Sequence, residues 1–280
     1  MVSKHGASYG SGLHYIPGFI QPQQKAEIFT YLESLFPIWE KRFSAHNPPP
    51  PGQNQRELLR PTYWLGNWQF ACLGYYHPPK GLLNRCVAAE KYPPALAQAV
   101  QKIEQFVHAR FAPKDIPKGW HLNTCLINFY GCRIENGKKI DSGRVGEHKD
   151  FEPGPIGSIS FGDRALIQFV RSAHKKAPSQ VMQQQWLEDC SLQVFGGERY
   201  KSQLFHRVQR VEKKMKTSYP FHTQRYETRR VNFTFRYVPD EHITELRQLP
   251  KPLFSDIENY VKELSEHSPF WKNELEKLQR

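Results

Sequence analysis

No apolar run in the 280 residues approaches the ~18 needed to cross a bilayer as a helix. Met1 to Gly12 is polar and contains Gly and Ser, without the basic-then-apolar layout of a signal peptide. Cysteine is sparse. Cys72, Cys86, Cys125, Cys132 and Cys190 form no C-x-x-C pair and are odd in number, which argues against a disulfide framework or a zinc ribbon. No internal repeat points to a solenoid. These absences predict a soluble intracellular protein, cytoplasmic or nuclear, with reduced thiols and no membrane partner, and we expect a monomer. Acidic residues are also in deficit, 27 against 39 Lys and Arg, for a formal net charge of +12. Such a field attracts polyanions, so nucleic acid is the expected partner; the bland alternative is a basic surface that binds nothing.

What is present suits a globular fold with many turns: 13% aromatic residues and 22 prolines. A loose tail, residues 1–12, is expected to precede a single domain over 13–240. Its first part, 13–110, holds helices. Ala26, Ile28, Phe29, Leu32, Leu35 and Phe36 recur at helical spacing within 21–36. Pro93-Pro94 opens a second helix to about Arg110, with Leu96, Val100, Ile103, Phe106 and Val107 on one face. Between them, Asn47 to Gly52 must be a loop. The aromatic stretch 61–80 (Tyr63, Trp64, Trp68, Phe70, Tyr75, Tyr76) reads as one or two hairpins with exposed or half-exposed rings.

From His121 the texture turns to short strands, at 124–130, 156–161, 165–170, 191–195, 206–208 and 231–238. This β-rich part, 121–238, predicts an α+β fold that is mainly β at its core, a jelly-roll barrel. Lys213 to Arg230 is basic and reads as a long hairpin loop. Phe254, Ile257, Tyr260, Val261 and Leu264 mark an amphipathic helix in a C-terminal helical extension, 241–280.

Chemistry concentrates in three places. His148-Lys-Asp150 spaces an imidazole and a carboxylate so that, on a strand, both face one side. Among later histidines, His206 follows Leu204-Phe205 and precedes Val208, the best placement in a core strand. Two imidazoles and one carboxylate suit a non-haem Fe(II) with open coordination positions; satisfied core histidines are the alternative. Arg230, Asn232, Thr234 and Arg236 alternate along one strand and share a face. Buried arginines need anions to pair with, and a dicarboxylate held by paired hydrogen bonds meets that need. Asn128 and Tyr130 alternate likewise on an earlier strand and add polar groups to such a cradle. The competing reading is an outward polar face.

In this order, Asn128-Phe-Tyr130, His148-Lys-Asp150-Phe-Glu152, Pro155-Ile-Gly-Ser-Ile-Ser160-Phe-Gly162, His206 and Arg230-Val-Asn232-Phe-Thr-Phe-Arg236 resemble the AlkB family of Fe(II)/2-oxoglutarate-dependent dioxygenases. Residues ~121–238 carry this resemblance well. Residues ~13–110 match more loosely, through Tyr15-Ile-Pro-Gly-Phe19 and Arg60-Pro61-Thr-Tyr63. The resemblance implies a double-stranded β-helix with N-terminal helices and a nucleotide-recognition lid. It implies Fe(II), 2-oxoglutarate and O₂, with His148, Asp150 and His206 on the iron. Arg230, Tyr130 and Asn128 would take the distal carboxylate of 2-oxoglutarate, and Asn232 and Arg236 would order the inner end. Glu152 would lie near the damaged base, with Tyr63, Trp64, Trp68, Tyr75 and Tyr76 available to stack on it. The implied activity is oxidative dealkylation of N-alkylated DNA or RNA bases. A protein or small-anion oxygenase of the same fold, and a non-catalytic nucleic-acid-binding jelly roll, are the alternatives. The basic insert Arg210 to Arg229 departs from the family pattern.

Overall fold

The computed structural model describes residues 7–8, 12–42, 51–52, 55–71, 73, 84–141, 143–171, 179–209 and 218–278. Asn47 to Pro50 of the expected loop, Tyr75, Tyr76, and Lys213, Lys214 and Lys216 lie outside the described residues.

The N-terminal part runs β1 (Ala7–Ser8), β2 (Leu13–Ile16), α1 (Pro22–Glu33), β3 (Lys41–Arg42), β4 (Arg56–Glu57), β5 (Thr62–Leu65), β6 (Asn67–Gln69), β7 (Cys86–Ala88) and α2 (Pro94–Arg110). The β-rich part follows with β8 (Thr124–Glu135), β9 (Lys138–Asp141), β10 (Val145–His148), β11 (Ile156–Gly162), β12 (Ala165–Arg171), β13 (Gln180–Leu187), β14 (Ser191–Phe195), β15 (Phe205–Gln209) and β16 (Tyr226–Arg236). A short β17 (Ile243–Thr244) leads to α3 (Lys251–Ser265) and α4 (Pro269–Leu278).

Two antiparallel sheets make the jelly-roll core. The larger has the order β1-β2-β14-β11-β16-β8-β5, with β9 paired to β8; the smaller has the order β10-β15-β12-β13. Alternation sorts β16 into two rows. Val231, Phe233 and Phe235 are fully buried in one cluster with Phe129, Ile159 and Phe161 of the neighbouring strands and with Ile28, Leu32, Leu96 and Ile103 of α1 and α2. Each such large side chain stabilises the fold by roughly 1.5–3 kcal/mol. The opposite row, Arg230, Asn232, Thr234 and Arg236, pairs with Tyr130, Asn128, Leu126 and Thr124 on one side. On the other side Asn232 and Thr234 pair with Ser160 and Ser158. This row faces between the sheets. There, Leu13, Tyr15, Ile156, Ile167, Phe169, Phe195, Tyr200 and Leu204 form a second apolar cluster.

Two glycines allow the close strand approach at the Arg230 end. A Cβ on Gly131 would stand 1.9 Å from the Glu227 carbonyl, beside the register shift between Thr228 and Arg230. Gly162 has φ +84°, and a Cβ there would meet the Arg229 carbonyl at 2.2 Å.

Several expectations change. Ala7 and Ser8 pair with Tyr15 and His14, so the expected tail contributes an edge strand. β16 starts at Tyr226, inside the expected basic loop, and Phe221, Thr223 and Thr228 of that insert are buried. The aromatic stretch is not an exposed hairpin: β5 pairs with β8, while β6 pairs with β7. The C-terminal extension holds two helices rather than one, and Trp271 of α4 packs edge-on against Trp68.

Candidate metal and co-substrate site

His148 and His206 are direct partners across β10 and β15. Their rings stand 4.2 Å apart between centroids. Asp150 is not on the strand, contrary to the expectation from H-x-D alternation. β10 ends at His148, and Asp150 reaches the site from the loop that follows. Even so, one ligand atom from each of His148, Asp150 and His206 lies within 4.8 Å of the other two.

Hydrogen bonds orient these groups. Gly146 O lies 2.9 Å from Nδ1 of His148, which assigns the proton to Nδ1 and leaves Nε2 as the free electron pair. Arg236 donates from Nε and Nη2 to a single oxygen of Asp150, Oδ1, at 3.0 and 2.8 Å. The second oxygen, Oδ2, is 3.3 Å from His206 Nε2 but takes no hydrogen bond despite its burial. Phe195 and Phe169 flank the His206 ring at 5.2 and 5.9 Å.

The electrostatics favour cation binding. Burial, with repulsion from His206, pushes the His148 imidazole down to about 3, so it is neutral at pH 7. Burial alone would raise the Asp150 carboxyl; Arg236, helped by His206 and His148, outweighs it and holds the group well below the usual carboxylate range. Two imidazoles and one ionised carboxylate, whose buried Oδ2 has no hydrogen-bond donor among the described residues, make a donor set that suits a divalent iron.

The other end of β16 carries a second constellation. Arg230 is buried, and its Nε and Nη1 form no hydrogen bond among the described residues. Its Nη2 donates to Ser160 Oγ at 3.0 Å, and its guanidinium sits 4.7 Å from the centre of the Tyr130 ring. Asn232 Nδ2 donates to Ser158 Oγ at 2.8 Å and to the Ile159 carbonyl at 2.9 Å. A cleft opens at this end, lined by Tyr130, Gly131, Cys132, Arg229 and Arg230 among others. Two buried guanidinium donors without acceptors fit the carboxylate of a small dianion.

Residues 12–236 match the 2OG-Fe(II) oxygenase superfamily. The chain belongs to that superfamily. An oxygenase of this superfamily uses Fe(II), 2-oxoglutarate and O₂, and the His-Asp-His cluster fits the iron. Comparison with curated proteins gives no match. Among solved structures, the oxygenase resembles OsALKBH1, with 18% identity, a TM-score of 0.49, and coverage of 82% of this chain and 100% of that one. It also resembles YcfD, a ribosomal oxygenase from Escherichia coli, with 15% identity, a TM-score of 0.23, and coverage of 50% of this chain and 27% of that one.

Glu152, expected near the substrate, is buried. Burial raises its carboxyl against the pull of Arg236, whose Nε is 3.5 Å from Oε2. Tyr63, Trp64 and Trp68 are core rings, not faces open to a base. Tyr63 donates to Glu90 at 2.5 Å, and Trp64 and Trp68 donate to the buried Glu40 at 2.6 and 3.3 Å. Their polar atoms are satisfied where they lie, which removes the reason to expose them.

Other residues join the site without having been singled out. Arg60 Nε donates to Asn128 Oδ1 at 2.7 Å and lies 5.0 Å from the same Tyr130 ring. Ser158 and Ser160 alternate along Ile156-Gly-Ser-Ile-Ser160, a pattern visible in the sequence. No helix is long and apolar enough to cross a membrane among the described residues.

Proposed function

We propose that this oxygenase removes alkyl groups from nitrogen atoms of nucleic-acid bases, in DNA or RNA. The observation that carries the reading is Glu152. It is a buried carboxylate two residues beyond Asp150, with Oε2 3.5 Å from Arg236 Nε and free of any hydrogen bond among the described residues. A polar substrate edge beside the metal would satisfy it. The AlkB-like order of motifs and the net charge of +12 support the same substrate class.

In this reading His148, Asp150 and His206 hold Fe(II), and Arg236 keeps Asp150 ionised and fixed. Arg230, with Tyr130 and Asn128, takes the distal carboxylate of 2-oxoglutarate, while Asn232 and its serine partners order the strand between the two ends. When bound, the iron with 2-oxoglutarate and O₂ supplies the oxidising power that converts N–CH₃ to N–CH₂OH, with succinate and CO₂ as co-products. The hydroxymethyl group then leaves as formaldehyde and the nitrogen regains a proton. The main contribution of the chain is to place the C–H bond and exclude water. The catalytic domain is residues 13–240 with the β1 edge strand, and the described part of the C-terminal extension, 241–278, adds β17, α3 and α4.

Burial of Tyr63, Trp64 and Trp68 favours a second reading, in which the same chemistry acts on a protein or a small anionic molecule. The test supplies O₂ to Fe(II)- and 2-oxoglutarate-loaded protein with methylated single- and double-stranded DNA and RNA oligonucleotides. Formaldehyde release that requires His206 is the expected result. Succinate without formaldehyde on every oligonucleotide overturns the base-directed reading and favours the second.

A further inference from the structure

The Tyr130 ring contacts two guanidinium groups. Arg230, its register partner on β16, sits 4.7 Å from the ring centre, and Arg60, which precedes β5, sits 5.0 Å from it. β8 runs between β16 and β5 in the larger sheet, so one arginine comes from each flank of the strand. Backbone pairing holds the Arg60 segment there. Thr62 is the register partner of Asn128, and the Phe129 N–H donates to the Pro61 carbonyl at 3.1 Å.

Arg60 is buried and makes no ion pair among the described residues. A buried guanidinium without a carboxylate is costly, and packing alone gives no reason to keep one. Its contacts lead to the polar row that ends at Arg230. Nε donates to Asn128 Oδ1 at 2.7 Å. A guanidinium only donates, so the atom that faces it must be the amide oxygen, and the Asn128 amide has a single orientation. Nδ2 is turned away from Arg60 and makes no hydrogen bond among the described residues. Asn232, the register partner of Asn128 on β16, is itself held by Ser158 Oγ and the Ile159 carbonyl. An Asn128 amide turned the other way would present its oxygen to an incoming carboxylate, a repulsive contact. Held by Arg60, it presents N–H donors instead.

We propose that Arg60 is a positioning residue for the co-substrate. It locks Asn128 and Tyr130 in the orientation that receives a distal carboxylate, and so sets the preference of the site for a 2-oxo dicarboxylate over a 2-oxo monocarboxylate. Co-substrate recognition in this chain thus depends on a side chain from the N-terminal part, outside the jelly-roll strands. The proposal rests on the assignment of the distal carboxylate to the Arg230 end.

The experiment measures binding without turnover. Anaerobic Fe(II)-loaded protein is titrated with 2-oxoglutarate and with 2-oxopentanoate, which has the same chain length and keto-acid end but no distal carboxylate. Both titrations follow the visible band of the keto acid chelated to iron. Wild type is expected to prefer 2-oxoglutarate. Arg60→Met should lower that preference roughly tenfold, through weaker binding of 2-oxoglutarate, with 2-oxopentanoate and Fe(II) bound as in wild type. A residue that merely packed would weaken both keto acids together. In an Asn128→Ala background the same substitution should change the preference less than about threefold, because its effect passes through Asn128. An undiminished effect there overturns the proposal. So does an unchanged preference in an Arg60→Met protein that melts like wild type, or an equal loss for both keto acids; the Arg230 assignment survives these results. Wild type without a preference overturns that assignment as well. If Arg60→Met does not fold, Arg60→Gln is read by the same ratio, and a wild-type ratio overturns the proposal.

Discussion

Arg236 places two of its donors, Nε and Nη2, on one oxygen of Asp150 and leaves the other oxygen facing His206. The arginine sits at the last position of β16 and the aspartate in a loop beyond β10, so the contact joins the two sheets across the core. It presents Asp150 ionised and oriented before any metal arrives. The metal site and the polar row on β16 are one construction.

Arg236→Lys keeps the positive charge and removes the fork. Loss of a group that orients a metal ligand costs ~10–100-fold in metal affinity. Titration of Fe(II) into the metal-free variant should show a drop in that range, with the fold retained by circular dichroism. Wild-type affinity would mean that Asp150 needs no such support.

Arg230→Met removes a charge-assisted partner at the other end of the strand. Such a contact contributes ~1.5–3 kcal/mol. The 2-oxoglutarate concentration at half-maximal succinate formation should rise about 10–100-fold, with little change in Fe(II) affinity. A normal half-maximal concentration would place the co-substrate elsewhere.

His148 gives the metal-free protein a pH dependence. In the unfolded chain its imidazole takes a proton near pH ~6.5; in the fold it resists until about 3. Between those values the unfolded state holds more protons, so stability is fully present above the upper limit and falls with pH through the window. The melting temperature of metal-free wild type should drop steadily from pH 7 to pH 4. His148→Leu should show a shallower slope, and equal slopes would contradict the assignment.

Trp64→Phe separates stacking on substrate from packing in the core. Its Nε1 donates to Glu40, which is 1% exposed. Leaving that carboxylate short of a donor should cost ~1–3 kcal/mol in chemical denaturation. Binding of a methylated oligonucleotide should remain at the wild-type level; a large loss of binding at normal stability would return Trp64 to the substrate face.

Sequence patterns revealed the strands of the core because alternation leaves a strong trace. Val231, Phe233 and Phe235 interleaved with Arg230, Asn232, Thr234 and Arg236 predict both faces of β16 from residue order alone. The His148-x-Asp150 spacing identified residues that do converge, although it mistook a strand end for a continuing strand. The aromatic stretch was less legible because an indole looks the same in a core as on a lid. What decides is its partner, and Glu40 and Glu90 lie distant in the chain from Trp64 and Tyr63.

The most direct test is an anaerobic spectroscopic titration with Fe(II) and then 2-oxoglutarate, since chelation of the keto acid to Fe(II) produces a visible charge-transfer band. The account predicts the band in wild type, its loss in His206→Ala and Asp150→Ala, and a requirement for much more 2-oxoglutarate in Arg230→Met. A band of full intensity in either ligand variant would contradict the assignment of this cluster as the iron site.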